Sequence, residues 1–159
     1  MSDKRKPALA TETLPARRGS PYPKPHDEVC IEREKRALGD YFELKDFGVN
    51  LLTLPPGAWS SQRHWHSHED EFVYVLSGEP TLVTDEGETQ LRPGMCAGFP
   101  ANKPNGHALV NKTASPVTVL EVGSRKPEDN GYYSDIDMQI LGRGKGGRFT
   151  RKNGKPYPA

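Results

Sequence analysis

Apolar and β-branched residues along the chain gather in short runs, each closed by a glycine or proline turn. Phe47-Gly-Val-Asn-Leu-Leu-Thr-Leu54 ends at Pro55-Pro56-Gly57, which no helix would continue through. Residues 59–66 read as the next strand. Glu71-Phe-Val-Tyr-Val-Leu76 is β-branched and aromatic, and Gly78-Glu79-Pro80 stops it. Residues 81–84 and 88–91 flank Asp85-Glu86-Gly87, a hairpin signal. Pro93-Gly94 turns the chain into residues 95–99, residues 106–111 follow, and Ser115-Pro-Val-Thr-Val-Leu-Glu-Val-Gly123 closes the set. About eight short strands at this spacing predict an all-β fold, an eight-stranded jelly-roll (double-stranded β-helix) barrel.

The flanks have a different texture. Residues 1–28 read as a proline-rich basic leader, in which Pro7, Pro15, Pro21, Pro23 and Pro25 hold the backbone extended. It is either a solvated or surface-packed arm, or one that crosses to a partner subunit or closes over a pocket. Residues 29–39 fit a short helix ended by Gly39 or an edge strand. The expected organisation is the leader over 1–28, a barrel domain over 29–123 and a turn-rich basic extension over 124–159. In that extension Gly142-Arg-Gly-Lys-Gly-Gly147 reads as flexible.

Composition narrows the function classes. The 159 residues suit one domain, and the 15 prolines and 16 glycines leave little room for long helices. A net charge of +1 gives no pull toward nucleic acid or acidic membranes, and no DNA-recognition helix is legible. No apolar run approaches the roughly 20 residues needed to cross a bilayer. The start Met-Ser-Asp-Lys-Arg-Lys has no signal-peptide core, so a cytoplasmic protein is expected. Cys30 and Cys96 lie far apart and read as free thiols, with Cys96 buried on a strand.

Histidine changes the picture more than charge does. Of the five, three fall within Arg63-His64-Trp65-His66-Ser67-His68. On a strand His64 and His66 share a face with Ser60 and Gln62, so two imidazoles can converge on one ion. Glu71 starts the following strand; a neighbouring strand about 4.8 Å away would bring its carboxylate beside them, with Val73 and Val75 making an apolar wall. His107 enters as a fourth ligand from a Gly- and Pro-shaped turn. Three nitrogens and one oxygen, with no sulfur, suit one divalent transition metal: Fe, Mn, Ni, Co or Zn. Six-coordination would leave two positions open. Around this set, His68 reads as a rim histidine, Glu69 and Asp70 as solvated turn acids, and Gln62 as a partner for a ligand. Trp59, Trp65 and Tyr74 read as packing or dimer-face aromatics, and Glu121 as an exposed strand residue rather than an inward acid.

The pattern Pro56-Gly57-x6-His64-x-His66-x4-Glu71-x6-Gly78, then Gly94-x5-Pro100 and His107-x3-Asn111, resembles the two motifs of the cupin superfamily. Gly57 to His64 is one residue longer than usual and Pro100 to His107 two longer, both in turns. The resemblance implies a jelly roll, a divalent metal on His64, His66, Glu71 and His107, and a homodimer. Arg17-Arg18-Gly19-Ser20-x-Tyr22-Pro23, Glu69-Asp70-Glu71-Phe72 and Phe149-Thr150-Arg151-Lys152-x-Gly154 resemble small stand-alone bacterial cupins, some described as sugar-phosphate isomerases and some as regulators. The first functional reading is a metal-dependent enzyme of isomerase or dioxygenase type, acting on a hydroxy- or oxo-acid or a sugar derivative. The alternatives are a non-catalytic small-molecule binding or sensor protein using the same pocket, and a basic-armed interaction protein whose metal is structural.

Overall fold

The runs that the pattern marks become strands because β-branched side chains pack well on a pleated, half-buried surface. The computed structural model describes residues 7–158, so the Lys4-Arg5-Lys6 start of the leader lies outside the described residues. Strands β1 (Arg17–Arg18) and β2 (Glu34–Ala37) come first, followed by a single helical turn, α1 (Leu38–Tyr41). Eight strands then fill the expected barrel region: β3 (Phe47–Leu54), β4 (His64–His66), β5 (Glu71–Ser77), β6 (Thr81–Thr84), β7 (Gly87–Gln90), β8 (Cys96–Phe99), β9 (Ala108–Val110) and β10 (Val117–Ser124). The tail adds β11 (Gly131–Tyr133), β12 (Gln139–Ile140) and β13 (Phe149–Thr150). No helix among the described residues is long and apolar enough to cross a membrane.

Three sheets result, in the orders β1-β2-β3-β10-β5-β8, β13-β12-β11-β4 and β7-β6-β9. Alternation sets the inner faces. Leu52 and Leu54 of β3, Val73 and Val75 of β5, and Val117 and Val119 of β10 point inward and pack with Ala58, Leu91 and Leu109. A second cluster, Tyr133, Met138 and Ile140 with Tyr22, Phe149 and Tyr157, packs the leader against the tail, whose β11 pairs with β4.

Two expectations change and one open alternative is resolved. Residues 59–66 form a shorter strand than predicted, because Ser60 is tied down by side chains instead. Its Oγ accepts the Leu109 N–H at 2.9 Å and its carbonyl accepts from Arg33 Nη1. The ambiguous piece after Val29 supplies the strand β2, paired with β1 and β3. The tail is structural, contributing three strands beside β4.

Gly78 ends β5 with φ +75°, and a Cβ there would lie 2.7 Å from the Pro116 carbonyl oxygen, so only glycine fits this turn. Asn111 is fully buried, and its Nδ2 donates to the carbonyls of Leu54 and Ser115 at 2.8 Å each, clasping the ends of β3, β9 and β10. Asn111→Ala would orphan both carbonyls and is expected to cost about 2–4 kcal/mol, read as a lower urea midpoint with an unchanged slope.

Candidate metal centre

Strand β4 presents His64 and His66 on one face, and each imidazole is fixed through its Nδ1. His64 Nδ1–H donates to the Gln62 backbone carbonyl at 2.9 Å. His66 Nδ1 lies 2.6 Å from Asp129 Oδ2, and Asp129 is fully buried. Both bonds leave Nε2 as the free nitrogen, the tautomer a metal ligand needs.

Glu71 reaches these nitrogens from a different sheet. Strand β5 pairs with β10 and β8, not with β4, which pairs with β11. The expectation that Glu71 sits on the strand next to the histidines is therefore corrected: it meets them across the barrel interior. Its Oε2 lies 3.6 Å from His64 Nε2, 3.4 Å from His66 Nε2 and 2.8 Å from His107 Nε2. His107 is held beside His64 by backbone bonds in both directions, at 3.2 and 2.9 Å, and its ring stacks on Phe99 with centroids 3.6 Å apart. His66 Nε2 and Glu71 Oε2 are buried without a well-formed hydrogen bond. The donor atoms of His64, His66 and Glu71 all lie within 4.8 Å of one another, and His107 joins through Glu71. Donors about 2.1 Å from a shared ion sit about 3–4 Å apart, so His64, His66 and Glu71 are close enough to hold a divalent metal, with His107 Nε2 against the same carboxylate oxygen.

Burial and charge act on the four groups in opposite directions. Burial disfavours the charge of His64 more than Glu71 favours it, and its pKa falls to about 3. Burial acts the same way on His66, but the Asp129 hydrogen bond and the Glu71 charge outweigh it and raise the pKa. Burial of Glu71 is likewise outweighed, by the His107 contact and the charges of His64 and His66, which hold the carboxylate well below the usual range.

Asp129 is the functional residue that sequence reasoning missed. It takes the His66 Nδ1 proton bond with Oδ2 and accepts the backbone N–H groups of His68 and Glu69 with Oδ1, at 3.0 and 3.2 Å. Glu69, expected as a solvated acid, is buried. Its Oε1 accepts the Lys126 N–H at 2.9 Å and its Oε2 pairs with Arg143 at 2.5 Å. The grouping of His66, Glu69 and Asp129 is thus already satisfied by backbone donors and a guanidinium, and it braces the cluster above. Arg143 comes from the glycine-rich segment that reads as flexible in the sequence.

Other expectations sort quickly. His68 is exposed, as a rim histidine should be, and Asp70 is an exposed acid that accepts the Ala101 N–H. Gln62 contributes its backbone to the site while its side chain donates to the His26 carbonyl. Both cysteines are free, but Cys96 is exposed rather than buried, because it pairs with the outward-facing Tyr74 on β5. Trp65 stacks on Tyr132, with centroids 4.6 Å apart. Glu121 turns inward, against expectation: it is opposite the buried Val73 across β10 and β5, and it pairs with Lys35 at 2.7 Å.

Two cavities meet at the cluster and share His66, Glu71 and His107. One, of about 480 Å³, lies toward Asp85, Glu86 and Lys103. The other, of about 770 Å³, runs beneath the leader past Tyr22, Arg33, Glu121 and Tyr133.

The opposed histidine shifts can be read directly in metal-free protein. His64 should stay neutral down to about pH 4, whereas His66 should hold its proton above the ordinary 6.5. Stability linked to His66 is then present below 6.5 and lost as pH rises through its folded value. Stability linked to His64 is present above 6.5 and lost as pH falls toward 3. Imidazole nitrogen NMR across pH 4–9 checks this, and two coincident titrations near 6.5 would refute the arrangement.

The Cupin domain family matches residues 50–123. The structure of a sugar phosphate isomerase from a cupin superfamily, from Silicibacter pomeroyi DSS-3, is similar at 47% identity and a TM-score of 0.91, over 96% of this chain and 98% of that one. A protein of Acidithiobacillus ferrooxidans ATCC 23270 is similar at 26% identity and a TM-score of 0.72, over 80% of this chain and 81% of its own. Among curated proteins, quercetin 2,3-dioxygenase of Bacillus subtilis (strain 168) is 36% identical over 64 residues, 40% of this chain. The chain spans only 19% of that dioxygenase's length. With its fold, its motifs and a relative similar over almost its whole length, the chain belongs to the cupin superfamily.

Proposed function

We propose that the protein is a metal-dependent isomerase acting on a sugar derivative, with His64, His66, Glu71 and His107 as the ligands of one Fe, Mn, Ni, Co or Zn ion. The observation that carries this reading is the meeting of three imidazole Nε2 atoms at 2.8–3.6 Å from one buried carboxylate oxygen, on a cavity whose wall also holds Glu121. A divalent ion held there supplies Lewis acidity toward a carbonyl or hydroxyl oxygen.

An isomerase also needs a proton carrier that is not a ligand. Among the candidates, His68 and Cys96 are exposed and line neither cavity, whereas Glu121 faces inward. Gly123 is directly opposite Glu71, so Glu121 is its diagonal cross-strand neighbour, about 7–8 Å away along the inner face. The Glu121 carboxylate removes the proton from the carbon beside the substrate carbonyl and returns it to the carbonyl carbon, while the hydroxyl proton passes between the two oxygens. Tyr133, its phenol pushed up to about 12 by burial, stays protonated beside His64 and donates to a substrate hydroxyl. Similarity to the Silicibacter pomeroyi isomerase over nearly the whole chain favours this chemistry over oxygen insertion, whose curated relative is matched over a fifth of its length.

The reading is of a cytoplasmic homodimer. The outer face of β5 leaves Phe72, Tyr74 and Leu76 at 40%, 39% and 47% exposure, an apolar row suited to a second copy. Sedimentation at micromolar concentration should give twice 17.6 kDa, and a monomer alone would count against it.

Elemental analysis of protein purified without added metal should find about one divalent ion per chain, abolished in the His64→Ala/His66→Ala double variant. Asp129→Asn should lower metal affinity about 10–100-fold in chelator competition. Glu121→Gln should keep the metal yet lose both isomerisation and solvent-deuterium uptake into sugar phosphates. Full deuterium uptake in Glu121→Gln would sink the proton-carrier assignment, and full metal content in the double variant would sink the ligand set.

A further inference from the structure

The larger cavity carries a cation whose structural bonds do not account for it. Arg33 is 8% exposed and lines this cavity, yet no carboxylate among the described residues lies within 4 Å of its guanidinium. Its Nε donates to the Gly19 carbonyl at 3.0 Å and one Nη1 hydrogen goes to the Ser60 carbonyl. A guanidinium has five N–H donors, so the Nη2 pair is left without an acceptor among the described residues. Carbonyl partners fix the fork in place without neutralising it. Its free edge opens on the cavity rather than being sealed in the protein, and such a fork matches the oxygens of a phosphate or carboxylate.

The surrounding charge points the same way. Three other cations on this wall are already matched: Lys35 with Glu121, Arg125 with Asp40 and Arg143 with Glu69. Arg17, Lys45 and Lys126 also line it and have no ion pair among the described residues. The smaller cavity has no such surplus: its Asp85 is paired with Arg63, its shared Glu69 with Arg143, and Glu86 stands there with Lys103. In a chain of net charge +1, unpaired positive charge is thus concentrated on one side of the His/Glu cluster.

We propose that Arg33 is the anchor for an acid group on the substrate, a phosphate monoester or a carboxylate, which enters by the larger cavity and sets its oxygen-rich remainder against the His/Glu cluster. This deepens the isomerase reading, and rests on it only for what happens at the far end of the substrate. Leader residues Gly19 and Tyr22 close the anchor from above. Tyr22 packs edge-on against Tyr133 with centroids 5.5 Å apart, so the leader, the anchor and the cluster form one continuous wall.

The test uses full-length protein stripped of metal by chelator, so that acid recognition is read apart from metal binding. Calorimetry with inorganic phosphate, glucose 6-phosphate and gluconate should give binding, with glucose giving none; the stronger of the two organic acids identifies the group. Arg33→Gln should weaken acid binding by about tenfold or more, while Lys45→Gln and Lys126→Gln, on the same wall, change it less than about threefold. Circular dichroism checks folding, and if Arg33→Gln does not fold, Arg33→Lys decides, with a loss of several-fold expected because the fork is gone. No heat from any acid, equal affinity in a folded Arg33→Gln or in Arg33→Lys, or equal losses in the lysine variants would overturn the proposal. Metal content measured on the same proteins as purified, before the chelator is added, separates the two readings. Absence of metal with Arg33-dependent acid binding refutes the metal-centred function alone, and normal metal with Arg33-independent binding refutes the anchor alone.

Discussion

Glu71 is the group on which the arrangement depends. Its carboxylate is withdrawn from water among three imidazoles that come from separate parts of the fold, and it carries charge there only because they offset the desolvation. His64 and His66 arrive on β4 of the four-stranded sheet, Glu71 on β5 of the six-stranded sheet, and His107 on the segment leading into β9 of the three-stranded sheet. The cluster is complete only where all three sheets close. A shift of any sheet by one residue would turn its ligand to the opposite face, so the inward valines of β5 and β10 fix the site as well as the core.

This dependence reaches the chain ends. Asp129 fixes the ring of His66, Arg143 neutralises the buried Glu69 beside it, and both belong to the tail. Tyr133, also from the tail, stacks on His64 and packs against Tyr22 of the leader. An isolated span of β3 to β10 would retain all four candidate ligands yet lose the carboxylate that orients one of them. Second partners of this kind commonly set ligand geometry and basicity.

Much of this was legible in the sequence, for identifiable reasons. The eight barrel strands follow alternation and turn residues, and β3 and β6 begin and end where the pattern says. His64, His66, Glu71 and His107 stand out because histidine is scarce in this chain and its spacing is unusual. Asp129 was not legible: it sits in Pro127-Glu-Asp-Asn130, which reads as a polar turn, and only tertiary closure brings it to His66. Glu69 was misread for a related reason, since its partner Arg143 lies 74 residues away. Glu121 depended on strand register, which periodicity on one strand cannot fix without its neighbour. Cys96 failed similarly, because β8 is a sheet edge whose outward face follows the exposed Tyr74 rather than the core.

The two cavities put different demands on the same cluster. Toward Asp85 and Glu86 the wall offers, among the described residues, no unpaired cation but Lys103, since Arg63 is taken by Asp85 and Asp135. Beneath the leader the wall is cationic and holds an inward carboxylate outside the cluster that is paired to a lysine, Glu121 with Lys35. That pairing lets an acid stand on a cationic wall without repelling an anion there, because Lys35 cancels its charge at long range while leaving a basic oxygen at short range. On the proposed reading, a substrate held by an acid group at one end lies along the β10 face, past Glu121, with its oxygens toward His64 and His107. Both proposals, selection by charge and positioning for proton transfer, rest on one geometric fact: Glu121 and Glu71 lie on the same inner face, two residues apart in register.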